Sequence, residues 1–266
     1  MGKTKDSLTS SLENADALKR YLIKKGENHK NYKTYSSQKF IREIINEQRI
    51  YLNDGSNWND IADRKAFNSD EMEYKNYGKC FSFSESESVA MWMLYGGIDN
   101  CGAMINFTQK DMKKLFEIEH IILGVFENGK FVEYSRLKKD KFEIKLIDIL
   151  YTRKGSRTCY VRRSTETNRN VAIDVIQSLG DECVKDVAWS YENECRLVVR
   201  IHKDYIKKNE TVVKIDLSPY NFSESFERVY HSPTYKGEKS YKKSELSGYI
   251  DWDLCGNCIS KQKNLQ

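Results

Sequence analysis

Proline is nearly missing: the chain has two in 266 residues. That excludes extended proline-rich spacers between parts. No apolar run reaches the roughly 18 residues that a bilayer-crossing helix needs, so no membrane contact is expected. The opening "MGKTKDSLTSSLENADALKRYL" lacks the apolar core of a signal peptide, and Met1-Gly2 ahead of Ser7 is too weak a match to a myristoylation signal to count. A cytoplasmic location is the expectation, with the seven cysteines kept as thiols. Histidine is scarce too, and His29, His120, His202 and His231 stand far apart. Cys255 and Cys258 form one C-x-x-C, which is half a zinc site, and no second half exists. No metal cofactor is therefore expected. G-x-S-x-G, the P-loop and H-E-x-x-H are all absent, so the usual signatures of serine hydrolases, P-loop NTPases and zinc proteases are missing. Excess charge is small: 44 basic against 39 acidic residues gives +5, which permits a phosphate-bearing partner without demanding one.

Tyrosine, by contrast, is plentiful at 17, and it suits strands and sites that need an apolar body with a polar tip. Helical spacing of Leu8, Leu12, Leu18 and Leu22 predicts a helix over 8–25, and Ser36-Ser37 can cap a second one. "ESESVAMWMLYGG" and "TQKDMKKLFE" read as helices, and 164–186 reads as another. Residues 63–78 read as loop with a little helix. "RIYLND", "KCFSFS", "CGAMINF", "EHIILGVF", "GKFVEYSRL", "FEIKLIDILYTR", "TVVKIDLSP" and "ESFERVYHSP" read as strands, with a hairpin at "NGK". The tail from Glu238 reads as helix, turn and a last short strand. Helices first, then strands with scattered helices, predict an α+β fold with mixed and antiparallel sheets flanked by helices. The predicted organisation is an N-terminal helical extension over 1–29 and one α+β domain over 30–266.

Five stretches carry chemistry. In "DVAWSYENECRLVVRI", read as a strand, Glu192, Glu194 and Arg196 share one face. Two readings stand open: an internal ion pair, or a cleft carboxylate oriented by the arginine, with Trp189 and Tyr191 as a stacking wall. In "KCFSFSESESVAMWMLYGG", Ser82 and Ser84 precede a helix carrying Trp92 and Tyr95 three residues apart. Those residues are either core and N-cap or the floor of a pocket. Asn59 and Asp60 in "NWNDIAD" either make Asx turns or position a loop over a site. "YTRKGSRTCYVRR" holds Arg153, Lys154, Arg157, Arg162 and Arg163 among tyrosines, which fits a solvated hairpin or a nucleic-acid patch. Cys255 and Cys258 read as plain thiols.

Taken in order, these motifs resemble a bacterial family known as a domain of unknown function (number 2971). The matching residues are Lys33 and Tyr35 on a first strand "NYKTYSS", "WNDIAD", the Cys80–Ser82 "CFS", Met91, Trp92, Tyr95 and Gly102, and "WSYENECR" with Trp189, Glu192, Glu194 and Arg196. Ile61 stands where the family has proline, and Cys195 where it has an aromatic. The layout in turn resembles ADP-ribosyltransferase-like enzymes, including those that modify DNA. That resemblance implies an NAD-using enzyme, a bacterial toxin or antiphage defence effector acting on nucleic acid or protein, with an antitoxin or defence partner. Glu194 is then the catalytic carboxylate, with Glu192 its partner and Arg196 its orienter. Ser82, Trp92 and Tyr95 line the nicotinamide side. Lys33 or Tyr35 holds the adenosine or phosphate side, and Asn59 and Asp60 sit on the covering loop.

Two rivals remain. A non-catalytic ligand- or nucleic-acid-binding or regulatory module requires Glu192, Glu194 and Arg196 to satisfy one another internally. A metal-dependent nuclease requires Asp60, Asp63 and Glu194 to converge on an ion.

Overall fold

The structure, a computed structural model, describes residues 15–68, 72–96, 102–152, 158–162, 170–174, 183–207, 209–236 and 241–247. It is α+β, with mostly antiparallel strands flanked by helices, as the order of segments predicts. The chain clusters into two compact units. The first takes the described parts of Met1–His29, Tyr51–Phe81 and Lys113–Ile215; the second takes those of Lys30–Ile50, Ser82–Met112 and Asp216–Gln266.

In the first unit, helix α1 (Ala15–Gly26) buries Leu18 and Leu22, four residues apart on one face. They join Phe67, Ile147, Cys183 and Val198 in a core. Strand β12 (Glu194–His202) pairs antiparallel with β7 (Phe142–Asp148), placing Cys195 opposite Asp148 and Arg196 opposite Ile147. Its residues 194–199 are all buried, which fits a central strand that also pairs with β3 (Tyr74–Ser82). Strands β5 (His120–Glu127) and β6 (Lys130–Lys138) form the hairpin that "NGK" predicts. Asn128 and Gly129 both take positive φ, 50° and 75°, as a tight two-residue hairpin turn demands.

Gly26 ends α1 at backbone contact with β7. A Cβ there would lie 2.6 Å from the Leu146 carbonyl oxygen. Gly26→Ala is therefore expected to cost about 1–3 kcal/mol, because backbone and not a flexible tip must give way. Urea unfolding of the variant checks this, and a cost near zero would show that the helix end is free to shift.

The second unit holds three antiparallel strands in the order β14 (Val229–His231), β4 (Gly102–Thr108), β1 (Asn31–Ser37). Every residue of β4 is buried, and seven register pairs tie it to β1. Ser37 caps the next helix, α2 (Gln38–Glu47), by accepting from the Phe40 amide. Ile41 and Ile44 are its buried face.

Several local expectations fail, among them the start of "ESFERVYHSP", which is helical over Ser223–Phe226. The span 164–186 is not one helix: β10 (Asn170–Asp174) pairs with β9 (Thr158–Arg162), and β11 (Val184–Asp186) pairs in parallel with β8 (Leu150–Thr152). Val171, Ile173 and Val184 are β-branched, so the apolar spacing there suits a pleated surface as well as a helix. Within 63–78 lie the end of a capped helix, α3 (Ile61–Phe67), and the start of β3. "FEIKLIDILYTR" breaks at Ile149, whose amide bonds the Glu194 carbonyl.

Candidate functional site

The opening of β12 is not the continuous strand that alternation implies. Residues Val187–Glu192 form a 3-10 helix, capped by Asp186, whose carboxylate accepts from the Ala188 amide at 2.9 Å. Asn193 then turns left-handed at φ 43°, and the strand begins at Glu194. Glu194 and Arg196 do share a face. Glu192 reaches the same place from the helical turn.

What they build is a closed ionic cluster. The Arg196 Nε donates to Glu194 Oε1 at 2.8 Å. Its terminal nitrogens bind Asp63 in a bidentate fork, at 3.1 and 2.9 Å. Lys185 Nζ donates to Glu192 Oε2 at 2.6 Å and Glu194 Oε2 at 3.0 Å, with Asp63 Oδ2 at 3.7 Å. The guanidinium lies 4.5 Å from the Trp58 ring and 5.4 Å from Phe67, and Lys185 lies 5.1 Å from Trp189. Arg196 is 0% exposed and Glu194 1%. Burial by itself pushes the Glu194 carboxyl up, but the charges of Arg196 and Lys185 outweigh it and hold the group down at about 2. Asp63 goes the other way, because burial raises it more than Arg196 lowers it.

Lys185 and Asp63 are the members that sequence reasoning places elsewhere. Lys185 falls within the presumed helix 164–186, and Asp63 enters only as a metal ligand. Asp60 is a helix cap: its Oδ1 accepts from the Ala62 and Asp63 amides, and Asn59 beside it is exposed. The carboxylates of Asp63 and Glu194 are thus taken by cations rather than turned toward an ion.

Of the other predicted residues, Lys33, Tyr35, Ser82, Trp92 and Tyr95 lie in the second unit, and all but Tyr95 are buried. Lys33 donates to the Glu85 carbonyl at 2.9 Å and pairs in register with Ser82. Burial lowers the Lys33 ammonium, against the pull of Glu245 and Glu87. Tyr35 meets Trp92 edge-on at 5.0 Å, and its hydroxyl accepts from the Ser88 amide. Trp92 Nε1 donates to Glu87 Oε2 at 2.7 Å, and Glu87 also accepts from the Ser244 hydroxyl and the Glu245 amide. Only the Ser82 hydroxyl in this group is without a hydrogen-bond partner among the described residues. Tyr35 and Trp92 thus pack against each other inside the second unit. Arg153, Lys154, Arg157 and Arg163, like Cys255 and Cys258, lie outside the described residues; so does the side chain of Arg162, at the end of β9.

An open concave surface does exist in the first unit, a cleft of about 480 Å³. Tyr74, Phe142 and Tyr205 give it aromatic walls, with Lys141, Arg200 and His202 beside Asp140, Glu143 and Asp204. Lys141 Nζ lies 4.8 Å from the Tyr205 ring and Arg200 5.9 Å from Tyr74. Its signal in the sequence is faint, because its residues come from three separate stretches.

Among the described residues no helix is long and apolar enough to cross a membrane. Residues 91–197 match the model of the family described as "Protein of unknown function (DUF2971)", the family that the ordered motifs resemble. The match takes in Met91, Trp92, Tyr95 and the Trp189–Arg196 stretch, while Lys33, "WNDIAD" and "CFS" fall before it. No curated protein and no solved structure matches the chain.

Proposed function

We propose that this chain, a carrier of the DUF2971 region, is a non-catalytic module that binds a small polar ligand, with Glu192, Glu194 and Arg196 as its buried clasp. One observation carries the reading. Both carboxylate oxygens of Glu194 are held by protein cations, Oε1 by Arg196 and Oε2 by Lys185, and the residue is 1% exposed. A carboxylate that steadies a cationic transition state has to touch the reacting atoms. Both oxygens of this one are already taken by Arg196 and Lys185. The ligand surface is instead the cleft between Tyr74 and Tyr205, whose volume lies within the range of small-molecule sites. Its three acids stand beside Lys141, Arg200 and His202, a near-balanced lining that suits a neutral polar ligand better than a phosphate backbone.

The transferase reading keeps one observation in its favour. A single cation, Lys185, bridges Glu192 and Glu194. Displacing it bares an acidic pair in Glu-x-Glu order. Labelled NAD separates the two readings. Wild type and Glu194→Gln are expected to release nicotinamide equally, at background, with or without nucleic acid, while Glu194→Gln melts at a lower temperature. Release by wild type that Glu194→Gln abolishes, at a temperature where both are folded, would establish the transferase instead. Adenosine serves as the probe for the cleft, and Tyr205→Ala is expected to weaken its binding.

A further inference from the structure

Three donor atoms of different chemistry meet on the side of β12 opposite to Glu194 and Arg196. Asp148 closes β7 and Cys195 is its register partner on β12. His29 follows α1, brought against β7 by the close approach of Gly26. The His29 Nε2 lies 2.5 Å from Asp148 Oδ1, and one donor atom from each of His29, Asp148 and Cys195 lies within 4.8 Å of the other two. Asp148 and Cys195 are buried, while the His29 side chain stays 13% exposed and leaves a way in.

We propose that His29, Asp148 and Cys195 form a binding site for zinc or a zinc-like transition-metal ion, three protein ligands with the fourth position open to water. The donor set selects the metal class. A thiol and an imidazole beside one carboxylate suit zinc, cobalt or nickel and do not suit magnesium or calcium. The spacing is close to what is needed. Ligand bonds of roughly 2.0–2.3 Å put tetrahedral donors roughly 3.3–3.8 Å apart, so the histidine and aspartate part by about 1 Å and the sulfur moves in. The buried carboxylate supplies the reason for a cation. Lys25 sits on Asp148 Oδ2 at 3.1 Å with its side chain 48% exposed, so an ion bound there competes with a largely solvated partner. The competing arrangement is a metal-free one, in which His29 bonds Asp148 and the Cys195 thiol donates to the Gly26 carbonyl at 3.6 Å.

The test uses the full chain, stripped with chelator and titrated with cobalt(II). The expected result is visible bands of four-coordinate cobalt together with a thiolate-to-cobalt charge-transfer band, at one ion per chain. Both are expected to vanish in Cys195→Ser and in His29→Ala, which removes a partly exposed ring and keeps the fold. They should persist when Cys255 and Cys258 are both changed to serine. Zinc should raise the melting temperature of wild type, and magnesium should not. Absence of the bands in wild type overturns the proposal. So does their survival in both His29→Ala and Cys195→Ser, which would place the metal on other thiols.

Discussion

Arg196→Leu is expected to lower the free energy of unfolding by about 3–5 kcal/mol, the largest effect of any single change in the ionic cluster. Arg196 is the cation that fixes two of its three acids: it forks onto Asp63 and holds Glu194 Oε1. Without it, Asp63, Glu192 and Glu194 share Lys185 alone, all inside the protein. Leucine fills part of the slot against Trp58 and Phe67 but brings no charge and loses the stacking on Trp58. Arg196→Lys keeps the charge and loses the fork, so it should fall between. Urea unfolding at neutral pH, followed by tryptophan fluorescence, gives both numbers. A loss under about 1 kcal/mol for the leucine variant would mean that water reaches the cluster and that it is no clasp.

How much of this cluster was legible depends on separation along the chain. Glu194 and Arg196 lie two residues apart on one strand, and period-two alternation places them together correctly. Glu192 joins for a different reason, because Asn193 adopts the left-handed conformation that asparagine tolerates and breaks the strand before it. Lys185 and Asp63 come from a short parallel strand and a capped helix, and no local period signals that those meet β12. The same holds for His29, Asp148 and Cys195. As residues of a sequence they are isolated, and only the β7–β12 register and the end of α1 unite them. The strands were readable where alternation or a continuous apolar run was clear, as in "CGAMINF" and "EHIILGVF". Reading 164–186 as a helix failed because β-branched residues at mixed spacing satisfy both periods. Trp92, which helical spacing pairs with Tyr95 as either core or a pocket floor, is buried and meets Tyr35 edge-on, a contact across elements that no local period signals.

Acid should unfold this protein through Glu194. Its carboxyl is held at about 2 in the folded chain, against an ordinary 4.5. A group depressed in this way adds stability that is fully present above its unfolded value and is lost as the pH falls through the folded one. The loss therefore sets in as the pH drops through the ordinary carboxylate range and continues toward the depressed folded value. Asp63 acts with the opposite sign. Burial raises it, so protonation in the folded chain is favoured and offsets part of the loss. Unfolding free energies measured from pH 6 to pH 2.5 should fall steeply for wild type. Glu194→Gln should start lower and fall less, and the two curves should converge in acid. Parallel curves would remove Glu194 as the source. Arg196→Leu supplies an independent check, because Arg196 is the largest of the charges that hold Glu194 down. Its acid limb should also flatten, and the double change should cost less than the sum of the single ones, as residues within one network do.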